Sequence, residues 1–113
     1  LDMKYDSLTT LGLSWAGYIE VDKAYNWDPD TLINGLDPVK ILGIEGPLWS
    51  ETVTMMDEIE YMAFPRLPGL AEIGWTSTSQ RKWDDYKARL GKHGKRFSSS
   101  GIDYYPSPLV IWE

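Results

Sequence analysis

Two side chains stand out for the chemistry they could do together. Trp49 and Glu51 lie two residues apart, just past the apolar run Val39-Lys40-Ile41-Leu42-Gly43-Ile44 and the Gly46-Pro47 stop. An indole offers a flat apolar face and one N–H donor, and a carboxylate accepts two donors with charge-assisted strength. In barrel enzymes, the position just past the C-terminal end of a buried strand is where ligands bind. Asp2 and Trp15 supply the same two chemistries a second time, Trp15 from the loop Gly12-Leu13-Ser14-Trp15. Its Gly/Ser surroundings, unlike an apolar stripe, argue against simple core packing. Each residue also has a scaffold reading. Glu51 could be a helix-start acid favoured by the macrodipole, Trp49 and Trp15 packed rings, and Asp2 a carboxylate capping a loop. Six Trp and seven Tyr against two Phe favour rings with polar edges. Such rings serve both cores and sugar faces, and composition leaves both open.

Covalent and metal chemistry are narrower. There is no cysteine, which excludes disulfides, thiolate metal sites and cysteine nucleophiles. His93 is the single histidine, so neither a His-based metal site nor a Ser-His-Asp triad can be built within the chain. No metal or organic cofactor is implied. The one adjacent Asp-Glu pair, Asp57-Glu58, falls in the first turn of an expected helix, where it serves the helix dipole. Eleven Lys and Arg against seventeen Asp and Glu give a net charge of −6. That sign repels nucleic acid and anionic membrane. No signal peptide or membrane span is visible, and the opening Leu1-Asp2-Met3-Lys4-Tyr5 reads as the inside of a longer protein.

The elements that must position these residues follow from pattern. Leu1 to Tyr5 can finish a strand, and Asp6 to Gly17 reads as a long loop. Asp28-Pro29-Asp30 and Asn34-Gly35 are turn signals. They isolate residues 39–44, whose β-branched content predicts a buried strand ended by Gly46-Pro47. A helix is expected from Thr54, with Asp57 completing a capping box and Met55, Met56, Ile59, Met62 and Ala63 at helical spacing. Pro65 and Pro68 break it and start a second piece carrying Leu70, Ile73 and Trp75. A third helix is expected from about Ser79, with Trp83, Tyr86, Leu90 and Phe97 on one stripe, an Asp85–Arg89 ion pair, and Gly91 and Gly94 weakening its end. Trp75, Trp83 and Tyr86 read as a packing stripe. His93 and the basic run from Lys92 to Arg96 read as a solvated helix end. A buried strand needs neighbours on both edges, and the chain offers one at most. The rest of the sheet must come from elsewhere.

The run Gly43-Ile44-Glu45-Gly46-Pro47-Leu48-Trp49-Ser50-Glu51, then Glu58-Ile59-Glu60-Tyr61, Phe64-Pro65-Arg66, Ala71-Glu72 and Gly74-Trp75, closely resembles glycoside hydrolase family 20, the β-N-acetylhexosaminidases. Leu1-Asp2-Met3, Gly12-Leu13-Ser14-Trp15 and Tyr25-Asn26-Trp27-Asp28-Pro29 are similar to that family too, so the resemblance covers nearly the whole chain. It implies an α/β fold, the C-terminal portion of a (β/α)8 TIM barrel. Leu1 to Met3 would end strand 7, Ile41 to Ile44 would form strand 8, and helices follow. Residues 1–113 would be one fragment of the barrel, incomplete alone.

The same resemblance implies retaining, substrate-assisted removal of terminal GlcNAc or GalNAc, with the 2-acetamido oxygen as nucleophile. The family's catalytic Asp-Glu pair lies on an earlier strand, so no catalytic residue is assigned here, and the isolated chain is expected to be inactive. A Tyr-x-Asp pattern ends the family's strand 7. Asp2 matches its Asp, and its acetamide-binding Tyr would immediately precede Leu1. Substrate-binding roles carry over to four positions: Glu51 to ring hydroxyls, chiefly O4; Trp49 to the wall enclosing the acetamide; Trp15 to the O6 side; Asp2 to O6 or O4. Glu45 is expected in a buried polar network with Arg66. Implied partners are an N-acetylhexosamine-terminated glycan or chitooligosaccharide and the preceding part of the same barrel. Family resemblance is compatible with a secreted or periplasmic location, and no residue encodes one. Two rival readings are a non-catalytic carbohydrate-binding module and a purely structural barrel segment.

Overall fold

The computed structural model describes all 113 residues. Five helices carry the regular structure: α1 (Val21–Tyr25), α2 (Met56–Ala63), α3 (Arg66–Trp75), α4 (Trp83–Gly91) and α5 (Gly94–Ser99). Short 3-10 turns lie at Pro38–Lys40 and Thr78–Gln80. Sheet structure is reduced to one parallel bridge, Met3 to Leu13. None of the helices is long and apolar enough to cross a membrane.

The break between α2 and α3 follows the prolines as expected. Helix α2 ends at Ala63, Pro65 sits just before α3, and Pro68 falls in its first turn, where a missing N–H costs nothing. The start of α2 departs from the expected capping box. Glu58, and not Asp57, closes it: its Oε2 accepts from Thr54 N at 2.6 Å and from Thr54 Oγ1 at 3.0 Å. Because the helix begins at Met56, Glu58 is its third residue and reaches back to the entering chain. Those bonds hold the Glu58 carboxyl below its ordinary value.

Three further expectations are corrected. The strand foreseen over residues 39–44 is not part of a ladder. Asp37 Oδ1 caps Val39 N at 3.1 Å, which starts a 3-10 turn through Lys40, and only the remainder runs extended. No backbone partner meets the amides from Leu42 to Gly46. The helix foreseen from Ser79 begins at Trp83 instead. Arg81, drawn to the carbonyls of Tyr25 (3.2 Å) and Trp27 (3.0 Å), keeps the chain extended before α4. It also divides into α4 and α5 at Lys92–His93, so His93 precedes the start of a helix as well as following the end of one. Trp75 does not pack with Trp83 and Tyr86. It is 91 % exposed, because Ile73, two residues earlier on α3, is the side chain turned inward.

The stripe on α4 and α5 does build the core. Tyr86, Leu90 and Phe97 are buried with Tyr5, Val21, Tyr25, Ile73, Tyr105 and Val110, and Trp83 packs against them. Tyr86 stacks on Tyr25 with ring centroids 4.1 Å apart. Gly91 admits the returning chain, since a Cβ there would stand 2.1 Å from Ile111 O. On the solvent side of this core, Glu72 accepts from Tyr25 Oη at 2.7 Å and from Arg89 at 2.7 and 2.8 Å. Arg89 also meets Asp85 at 3.5 Å, the expected i,i+4 pair.

The Arg89 bonds hold the Glu72 carboxyl below its ordinary 4.5. Folding is therefore favoured by the ionised form, fully above about pH 4.5, and that contribution fades as pH falls through the folded-state value. Glu72→Gln is expected to lower the melting temperature at pH 7, with the gap to wild type closing below pH 4. A gap that persists unchanged at pH 3 would show that charge at Glu72 is not what matters.

Candidate functional site

The segments carrying Asp2, Trp15, Trp49 and Glu51 are joined through the backbone. Leu13 N donates to Asp2 O and Lys4 N to Leu13 O, each at 2.8 Å, so the chain bearing Trp15 runs beside the chain bearing Asp2. Leu1 N reaches Pro47 O at 2.6 Å, which places the approach to Trp49 on the other flank. Gly12 N donates to Thr52 Oγ1 at 2.8 Å, next to Glu51. Gly12 has φ +91°, and a Cβ there would lie 2.9 Å from both Asp2 O and Lys4 N. Only glycine lets the turn sit this close to the Asp2–Lys4 segment.

At the ends of these segments the side chains face solvent. Trp15 is 81 % and Trp49 63 % exposed, Glu51 is exposed, and Asp2 is half-buried. Two clefts of the chain lie elsewhere, one at Tyr25, Trp27, Asp28, Thr31 and Arg81, the other between residues 41–44 and 73–79. No group of three or more Asp, Glu or His stands close enough to hold a metal ion.

Glu45 does not reach Arg66. Glu45 is exposed, whereas Arg66 is 2 % exposed and spends its donors on main-chain carbonyls. Its Nη1 donates to Met3 O at 2.8 Å and Ile19 O at 3.3 Å, its Nη2 to Met62 O at 2.6 Å and to Leu1 O, and its Nε to Met62 O at 3.2 Å. The guanidinium also lies 3.9 Å from the centre of the Tyr5 ring, a cation–π contact. Burial lowers the Arg66 value from its ordinary one. Tyr5 Oη lies 2.9 to 3.1 Å from the carbonyls of Tyr61, Met62 and Phe64. Arg66 and Tyr5 thus satisfy the orphan carbonyls at the end of α2 and fix the segment carrying Asp2 in one stroke. Burial raises the Tyr5 phenol.

A second support was not foreseen. Tyr105 stacks on Tyr5 at 3.9 Å, its N donates to Phe64 O at 3.1 Å, and its hydroxyl lies 3.0 Å from Glu20 Oε2 and 3.3 Å from Asp6 Oδ2. Burial, then the Glu20 hydrogen bond, raises the Tyr105 phenol. Asp6 Oδ1 in turn accepts from Thr9 N and Oγ1, each at 2.8 Å, at the root of the loop leading to Trp15. The signal available in sequence was the tyrosine abundance and the Phe64-Pro65-Arg66 run. Neither names carbonyl partners dozens of residues away.

The sequence pattern described as "Glycosyl hydrolase family 20, catalytic domain" matches residues 1–78. A curated relative named β-N-acetylhexosaminidase from Cellulomonas fimi is 45 % identical over 112 residues, 99 % of this chain and 23 % of its own length. The solved Streptomyces plicatus N-acetyl-β-hexosaminidase in complex with thio-NAglucal superposes with a TM-score of 0.96 at 50 % identity, covering 99 % of this chain and 22 % of that one. The exo-β-N-acetylglucosaminidase of Vibrio harveyi, in complex with N-acetylglucosamine, superposes with a TM-score of 0.76 at 36 % identity, over 84 % of this chain and 15 % of that one. The chain therefore spans about a quarter or less of the length of these relatives. With the family pattern covering more than half of its residues and the folds superposing, the chain belongs to glycosyl hydrolase family 20.

Proposed function

We propose that residues 1–113 are one fragment of a catalytic (β/α)8 barrel, the end of strand 7, strand 8 and the helices that follow, in a retaining exo-β-N-acetylhexosaminidase. The observation that carries this reading is the set of unpaired amides from Leu42 to Gly46, followed in the chain by the exposed Trp49 and Glu51. An extended apolar segment with unpaired amides, met only at its end by Leu1 N on Pro47 O, fits an interior strand whose remaining neighbours lie in the preceding part of the barrel. Ligands of such barrels sit at the C-terminal ends of the strands, where Trp49 and Glu51 follow this one.

In this role the segment forms one wall of the terminal sugar's pocket. Trp49 packs on the hexosamine and encloses its acetamide, Trp15 lies toward O6, and the carboxylates of Glu51 and Asp2 accept from ring hydroxyls. The acetamide oxygen attacks C1 from the face opposite the leaving group as the glycosidic bond breaks, and water then opens the cyclic intermediate from the face the leaving group vacated, so that configuration is retained. The Asp-Glu pair that orients the acetamide and protonates the leaving oxygen lies outside this chain. Substrates are GlcNAc- or GalNAc-terminated glycans, chitooligosaccharides among them.

Two measurements test the proposal. The full-length protein is expected to hydrolyse 4-nitrophenyl N-acetyl-β-glucosaminide, and proton NMR should show the β-anomer of the freed sugar first. An α-anomer first, or no hydrolysis at all, removes the reading. The isolated 113-residue chain is expected to show no turnover of the same substrate. Glycan binding by that chain alone, with a stable monomeric melt, would favour a binding module instead.

A further inference from the structure

We infer that Thr52 is a positioning residue that sets the spacing between the two sides of the sugar pocket. This inference rests on the site assignment proposed above for Trp15, Trp49, Asp2 and Glu51. Thr52 itself touches no proposed sugar contact. Its Oγ1 accepts the Gly12 N–H at 2.8 Å across 40 residues of sequence, and it is the one side chain hydrogen-bonded between the two rim segments.

The geometry concentrates on that bond. Gly12 is pressed against the Asp2–Lys4 segment, with a would-be Cβ 2.9 Å from Asp2 O and Lys4 N and 2.7 Å from Met62 Cε. Leu13, the next residue, is held by both hydrogen bonds of its bridge to Asp2 and Lys4. Trp15 follows two residues later, just beyond this bridge. On the other side, Leu1 N meets Pro47 O at 2.6 Å, and Val53 N to Ser50 O at 3.3 Å is the local turn that carries Glu51 and Thr52. The Thr52–Gly12 bond thus ties the turn that carries Glu51 to the segment that carries Asp2 and Trp15. An ångström of drift between walls that must grip one ring is costly to catalysis.

The test is a set of variants in the full-length protein, assayed on 4-nitrophenyl N-acetyl-β-glucosaminide. Thr52→Val keeps the shape and removes the acceptor. It is expected to lower kcat/KM about tenfold, mainly through KM, while Thr52→Ser recovers most of the loss. A merely structural role would lower activity by the same factor in any background. If Thr52 acts by placing the pocket walls, its effect should shrink to twofold or less once Trp15→Ala has removed one wall. Thr52→Ala serves in the same cycle should the valine variant fold poorly. Wild-type kinetics for Thr52→Val and Thr52→Ala, or an undiminished loss in the Trp15→Ala background, overturns the inference. In that case impaired Glu51→Gln and Trp15→Ala leave the site assignment standing. If those two are themselves wild type, the site assignment fails and the role of Thr52 fails with it.

Discussion

Replacing Arg66 by methionine is expected to lower the unfolding free energy of the catalytic domain by about 3–5 kcal/mol, the largest effect of any single substitution considered for this chain. The guanidinium serves the carbonyls of Leu1, Met3, Ile19 and Met62 at once, and those of Leu1, Met3 and Ile19 have no other partner. A methionine fills much of the volume but leaves buried acceptors dry, each costing about 1–3 kcal/mol before relaxation. Arg66→Lys should recover less than half of the loss. One ammonium on a flexible stem cannot reproduce a planar fork aimed at carbonyls from three segments. Denaturant melts of the two variants against wild type provide the measurement. A methionine variant within 1 kcal/mol of wild type would mean that water replaces the guanidinium without penalty, and the clamp would lose its standing.

Glu51→Gln in the full-length protein is expected to lower kcat/KM by about 10- to 150-fold, or about 1.5–3 kcal/mol, the loss typical of a hydrogen bond to a charged acceptor. The isosteric amide keeps the shape but replaces one acceptor oxygen by a donor, so a sugar hydroxyl that donates to the carboxylate meets another N–H. A 4-deoxy substrate sharpens the result. Wild type should lose most of its advantage on it, and the Gln variant should discriminate little between the two sugars. Melting temperature should barely move, because Glu51 is exposed and makes no hydrogen bond within the chain. Kinetics within twofold of wild type on the hydroxylated substrate would remove Glu51 from the site.

Residues with local partners were the most readable in sequence. Tyr86, Leu90 and Phe97 occupy the buried stripe that helical spacing foretells, and Pro65 and Pro68 divide α2 from α3 as their fixed geometry demands. Trp75 went astray because a helix ending at that residue leaves one face open, and periodicity does not say which large ring loses its partner. The pairing of residues 41–44 was beyond reach for a different reason. Strand character is half a property of the neighbour, and the apolar pattern of Ile41 and Ile44 carries no trace of which segment lies alongside. Arg66 marks the limit most clearly. A buried arginine suggests a carboxylate, and Glu45 was the nearest candidate in the motif, yet the partners are carbonyls, which every residue possesses.

The pairing of Tyr105 with Tyr5, Asp6 and Glu20 has a consequence for how the protein is made. Its anchor points are separated by up to 99 residues of sequence, so the contact closes only after almost the whole segment has left the ribosome. Until then the root of the Trp15 loop lacks its last fastening. A polypeptide stalled before Tyr105 should therefore expose Tyr5 and the loop beside it to proteases, although every residue proposed to touch sugar has already been synthesised.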